Sequence, residues 1–158
     1  MAALIAAAPH DPYFLELQGQ VLLESGHPRE AVTVLREAVE RSNDTPLIAT
    51  LLGHALISTE DPANFAEAKR VLRIAVGRDN DNPFAWYQLG IVYDREGDQA
   101  RAALATAERY NLQGQPGLAL PNAERALMGL PAHSSDWLRA QDIAMVSRNA
   151  MQRRRNRR

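Results

Sequence analysis

Four histidines, His10, His27, His54 and His133, are the side chains best suited to moving a proton or holding a metal near neutral pH. None has the spacing that either chemistry requires. No two histidines lie three or four residues apart, so no helix face carries a ligand pair, and HExxH does not occur. In "HPRE", His27 and Glu30 fall at a helix start, where an acid complements the positive helix end rather than serving a reaction. The chain contains no cysteine, which removes thiolate catalysis, disulfides and thiolate zinc sites together. A glycine-rich phosphate loop and a GxSxG elbow are also missing, and no serine sits in a recognisable nucleophile setting. The chain is therefore expected not to be an enzyme in itself, and to use no metal, cofactor or small-molecule substrate.

The elements that would position any binding residue show in a repeat. Three segments align, "PYFLELQGQVLL" from Pro12, "PLIATLLGHALI" from Pro46 and "PFAWYQLGIVYD" from Pro83. Their prolines are 34 and 37 residues apart, and each has a glycine seven residues on, at Gly19, Gly53 and Gly90. A second motif follows, with Ala31, Leu35 and Ala38 in "REAVTVLREAV" and Ala68, Leu72 and Ala75 in "AEAKRVLRIAV". Spacing of i, i+4 and i+7 makes each set one stripe of a helix. Each unit thus reads as two amphipathic helices. The 158 residues, 46% hydrophobic and only 6% aromatic, have a composition that favours helices over sheets.

Proline and glycine set the boundaries. Pro12, Pro46, Pro62 and Pro83 follow Asp11, Thr45, Asp61 and Asn82, good N-cap residues before a first-turn proline. Pro28 and Pro116 read as two further starts, and Gly26, Gly97 and Gly114 as turns between helices. A glycine inside a helix costs about 1 kcal/mol relative to alanine, so Gly19, Gly53 and Gly90 need a reason. A close helix crossing supplies one.

"WYQLGIVY", with Trp86, Leu89, Gly90 and Tyr93, resembles the tetratricopeptide pattern W-x2-L-G-x2-Y at all four positions. The resemblance implies an all-α, right-handed solenoid of about eight helices, with repeats at 12–45, 46–82 and 83–115. The second repeat carries a three-residue insertion near "STEDPANF". A further repeat beginning at Ala100 starts only half a repeat after Pro83, so one helix near 98–112 must serve in two repeats. An irregular final helix pair is expected over 116–151, kinked or shortened by Pro121, its last helix capped by Ser134 or Ser135. Residues 152–158 are expected to be a disordered basic tail.

In tetratricopeptide proteins, repeat positions 2, 5, 9 and 12 or 13 face a concave groove formed by the first helices. The resemblance carries this groove onto Tyr13, Glu16, Gln20 and Glu24, then Leu47, Thr50, His54 and Ser58, then Phe84, Tyr87, Ile91, Asp94 and Arg95. Ala31 and Ala68, like the three glycines, are implied to be structural. Positions 5 and 9 lack the basic and asparagine clamp of chaperone-tail receptors, so a basic or apolar protein segment is the expected partner.

Charge is unevenly distributed. "RNAMQRRRNRR" at 148–158 has six arginines and no acid, leaving 12 Lys+Arg against 19 Asp+Glu elsewhere, a balance of −7. The tail makes nucleic acid or an anionic membrane a weaker alternative partner, although it lacks interleaved aromatics. At the front, "AALIAAA" has no preceding Lys or Arg and fits the end of a second helix, with Pro9 at the consensus proline position. Residues 1–11 are accordingly expected to be the remnant of a preceding repeat, and the chain a piece of something longer. Weak self-association through that front helix is a further expectation.

"PYFLELQGQVLLESG", "PLIATLLGHAL", "ALATAERY" and "WLRAQDI" together resemble the C-terminal repeat region of bacterial BepA-like zinc metalloproteases, relatives of HtpX and the CAAX proteases. That resemblance implies a periplasmic location, an upstream HExxH domain carrying zinc, and a role in recruiting substrates or outer-membrane assembly partners. The alternative is a stand-alone adaptor or assembly scaffold with no enzyme attached.

Overall fold

The computed structural model describes residues 10–156. Among these residues there are eight α-helices, one 3-10 turn and no strand. The chain divides into two compact units, Met1–Asp79 and Asn80–Arg158. Residues 1–9, expected to be a helix remnant, and 157–158 lie outside the described part.

The first unit holds α1 (Pro12–Glu24), α2 (Pro28–Arg41), α3 (Pro46–Ser58), the 3-10 turn Pro62–Asn64 and α4 (Phe65–Arg78). α1 packs on α2, α2 on α3 and α3 on α4, so neighbours in sequence are neighbours in space. Proline stands at the first position of α1, α2, α3 and the 3-10 turn, where its missing N–H leaves no bond unmade. Asp11 caps α1 by accepting from the amides of Tyr13 (2.9 Å) and Phe14 (3.4 Å), and Asp61 accepts from Ala63 at 3.0 Å. Thr45 does not cap α3 as expected; its hydroxyl donates back to the Ser42 carbonyl at 3.0 Å.

Gly19 and Gly53 have the reason the repeat demanded. A Cβ on Gly19 would lie 2.4 Å from Leu35 Cγ, and one on Gly53 would lie 2.5 Å from Leu72 Cγ. Both leucines are fully buried, so the glycines are the sockets into which the second helix of each pair presses.

The second unit holds α5 (Pro83–Arg95), α6 (Gln99–Leu112), α7 (Pro116–Gly129) and α8 (Ser135–Asn156). Asn82 caps α5 through the amides of Phe84 (3.0 Å) and Ala85 (3.3 Å). Trp86, Leu89 and Tyr93 are buried, and the Trp86 indole N–H donates to the Asn80 carbonyl at 2.8 Å. Gly90 differs from its two equivalents: the nearest atom to an added Cβ is Ala105 Cβ at 3.5 Å, an ordinary contact.

α6 packs on α5 before it and on α7 after it, and also touches α8. Its alanines allow this: Ala103 and Ala107 join Ala119, Ala123 and Ala126 of α7 and Ala140 and Ala144 of α8 in one core with Leu104, Leu130 and Ile143. The turns show the same double role. Gly26, Gly97 and Gly114, all with positive φ, end α1, α5 and α6 with the same closing bond, from the second residue past the cap to the carbonyl five residues back (2.8, 2.9 and 2.9 Å). α6 is therefore entered and left by the turn that elsewhere joins first helix to second.

Pro121 lies inside α7, which runs from Pro116 to Gly129; it stands in the second turn, where the bond to the Gly117 carbonyl is lost. One expectation needs correction. Residues 152–156 are helical, not disordered. Gln and Arg are good helix formers, and Arg153, Arg154 and Arg155 complement the negative end of the helix. The last helix begins at Ser135, with Ser134 Oγ accepting from the Trp137 amide at 3.2 Å.

Candidate protein-binding faces

The histidines form no centre. His10 Nδ1 meets Glu37 at 2.8 Å beside an Arg41–Glu37 ion pair, and His27 meets Glu30 at 3.2 Å at the start of α2. Among the described residues no three His, Asp or Glu side chains converge as metal ligands.

In the first unit the expected groove residues lie on α1 and α3. Tyr13, Gln20, Glu24 and Leu47 are exposed, while Glu16, His54 and Ser58 are half-buried. Partial burial holds the Glu16 carboxyl above its usual range. Thr50 is a correction: it is only 2% exposed, with its hydroxyl donating to the Pro46 carbonyl at 2.8 Å, so it presents nothing to a ligand. Ser58 likewise directs its hydroxyl to its own helix, at the His54 carbonyl (2.8 Å). Leu17 and Val21, not singled out from the sequence, are exposed one and two turns beyond Tyr13 and extend an apolar stripe along α1.

In the second unit Phe84, Tyr87, Asp94 and Arg95 are exposed on α5, and Ile91 is half-buried. Tyr87, Ile91 and Asp94 share an open cleft of about 220 Å³ with Thr106, Arg109 and Arg125. The Arg109 guanidinium stands 5.0 Å from the Tyr87 ring centre and 4.5 Å from that of Tyr110. Arg109 and Arg125 come from helices that the groove positions leave out, and they make this wall basic where the sequence suggested an acidic or neutral one.

A second cleft, of about 540 Å³, lies between α6 and α8. Counting repeats from Ala100 makes Glu108 and Asn111 first-helix positions 9 and 12. Thirty-four residues further, Ser134 becomes position 1, and Trp137 takes the position Trp86 holds in its own repeat. Leu138, Asp142 and Val146 then fall at groove positions 5, 9 and 13, and all three line the cleft. The signal was present in Trp137, but it appears only when the half-repeat register is carried forward. Glu108 is buried and paired with Arg139 at 3.1 Å; burial pushes its carboxyl above the usual range, against the pull of Arg139. Arg139 also lies 5.3 Å from the Trp86 ring centre.

These helix pairs and first-helix faces match a known sequence profile, that of the tetratricopeptide repeat, over residues 16–64 and 61–119. The chain belongs to the tetratricopeptide repeat family. No curated protein matches the sequence. Among solved structures, tetratricopeptide architecture recurs in a crystal structure of MamA, with TM-score 0.65 and 19% identity over 98% of this chain and 86% of that one. A second MamA structure gives TM-score 0.64 and 18% identity over 94% and 73%. TTC0263, a thermophilic tetratricopeptide protein of Thermus thermophilus, gives 0.53 and 20% over 89% and 85%. At such identities the likeness is one of fold. The resemblance to BepA-like metalloproteases finds no support in these comparisons.

Proposed function

We propose that this tetratricopeptide chain is a protein-interaction module whose first-helix faces hold a segment of a partner protein. The observation that carries the reading is shared by all three repeats. Repeat position 2 is Tyr13, Leu47 and Phe84, and these large apolar side chains remain 64%, 60% and 43% exposed. Large apolar side chains left this exposed have no internal use, whereas binding surfaces draw their affinity from apolar anchors of this kind. Positioning and affinity are the contribution of the chain; bond-breaking is not.

The finer reading makes the module the recruiting arm of a periplasmic zinc metalloprotease, and the alternative makes it a stand-alone adaptor. The upstream reading frame separates them, through an in-frame HExxH on one side or a stop codon on the other. The module itself is tested by selecting peptides from a random phage-displayed library on the immobilised chain. Replacing Tyr13 or Leu47 of the first unit, or Phe84 of the second, by alanine should weaken the peptides held by that unit by about tenfold, at unchanged far-UV circular dichroism. Peptides that bind these variants as tightly as the parent overturn the assignment.

A further inference from the structure

The side of α8 turned away from the core carries Leu138, Met145 and Val146, about half exposed at 47%, 54% and 53%, together with the exposed Gln141 and Asp142. These are groove positions 5, 12 and 13 of the shifted register, and Leu138 and Val146 line the cleft facing α6. The carboxyl groups lining that cleft are Asp81, Glu108 and Asp142; Glu108 is buried and taken up by Arg139, while Asp142 is exposed. A matching occupant combines aliphatic contact with several positive charges.

The chain carries such a segment. Residues 148–158 place Met151, exposed, beside five of the six arginines. Arg148 pairs with Glu124 at 2.6 Å, but Arg153, Arg154 and Arg155 stand exposed in the last turn of α8. They have no acidic partner among the described residues. The segment cannot serve its own cleft. Asp142 and Arg153 belong to one continuous helix and are separated along it by about 16 Å.

We propose that the α6–α8 cleft receives the arginine-rich segment 148–158 of a second copy of this chain, joining copies head to tail. The inference rests on first-helix faces being binding surfaces. Because the two contacting surfaces differ, the contact is heterologous, and it closes into a ring or continues as a chain of copies. Salt weakens it, since exposed carboxylate–guanidinium attraction is screened.

Sedimentation velocity of the full chain tests this at low and high salt, beside a variant ending at Met151 and the double variant Asp81→Asn/Asp142→Asn. The full chain should self-associate at low salt and dissociate at high salt, and both variants should stay monomeric. A synthetic peptide of residues 148–158, titrated into the truncated chain, should perturb the fluorescence of Trp86 beneath Arg139. Its affinity should fall at least tenfold in the double variant. A full chain monomeric at low salt, association that survives truncation, or a peptide that ignores the two carboxylates overturns the proposal. If the library-selected peptides bind while the tail peptide does not, the occupant is wrong and the interaction-module reading stands.

Discussion

Gly19, Gly53 and Gly90 hold the same repeat position, yet the structure assigns them opposite responses to alanine. In a helix interior alanine is favoured over glycine by about 1 kcal/mol, and all three sites gain that much. The packing cost differs. At Gly19 the new methyl would lie 2.4, 2.5 and 3.0 Å from Cγ, Cδ2 and Cδ1 of Leu35, and at Gly53 it would meet Leu72 at 2.5, 2.6 and 3.0 Å. Both leucines are 0% exposed, so neither can swing aside. Overpacking of a closed core costs about 1–3 kcal/mol, and three simultaneous clashes belong at the upper end. Gly19→Ala and Gly53→Ala should therefore lose about 2 kcal/mol net. Gly90 faces Ala105 Cβ at 3.5 Å and needs no movement, so Gly90→Ala should gain about 0.5–1 kcal/mol. Urea unfolding followed by far-UV circular dichroism reads all three. Trp86 and Trp137, the two tryptophans, both lie in the second unit, so fluorescence reads the Gly90 variant separately. In a Leu35→Ala background the sign at Gly19 should reverse, because the socket is then empty. Destabilisation at Gly90 comparable to that at Gly19, or a silent Gly53→Ala, would refute the account.

Two carboxylates give pH dependences of opposite sign. Glu108, raised by burial, favours its protonated form in the folded chain, so its contribution to stability is present at low pH and is lost as pH rises through its elevated range. Glu108→Gln should therefore gain stability relative to the parent between about pH 4 and 7, read from thermal midpoints across that range. Glu67 is held below its usual range by bidentate hydrogen bonds from Arg36 at 2.9 and 2.6 Å. Its contribution is present above the unfolded pKa and lost as pH falls through the lowered one. Glu67→Gln should cost at most about 1 kcal/mol at pH 7, with the difference shrinking as pH falls through the lowered carboxylate range.

Legibility from the sequence followed the range of the interaction. Helix starts were readable because proline at the first position and its preceding cap are local: Pro12, Pro28, Pro46, Pro62, Pro83 and Pro116 each begin an element. Failures came where a nearby competitor won. Thr45 turned its hydroxyl to Ser42, and Thr50 was buried although its repeat position is a groove position. A position within a repeat specifies a face of a helix, not how deeply that face is covered. The Arg109–Tyr87 stack was invisible for another reason: it joins a first helix to a second, and groove positions count first helices alone.

The same limit explains the second cleft, and it shows what the half-repeat offset does to the surface. A helix in an ordinary repeat is either first or second, and offers either its groove face or its packing face. α6 does both, because alanine at 102, 103, 105 and 107 lets helices approach it from more than one side. One face packs beneath α5 while another carries Glu108 and Asn111 toward α8. Thr106 stands where the earlier repeats have Leu35 and Leu72, and without that leucine Gly90 meets no closely pressed side chain. The relaxed Gly90 contact and the additional cleft are thus two results of one substitution pattern. Small residues in α6 leave Gly90 with no leucine pressed into it and make room for a second register, in which Trp137 takes the place of Trp86.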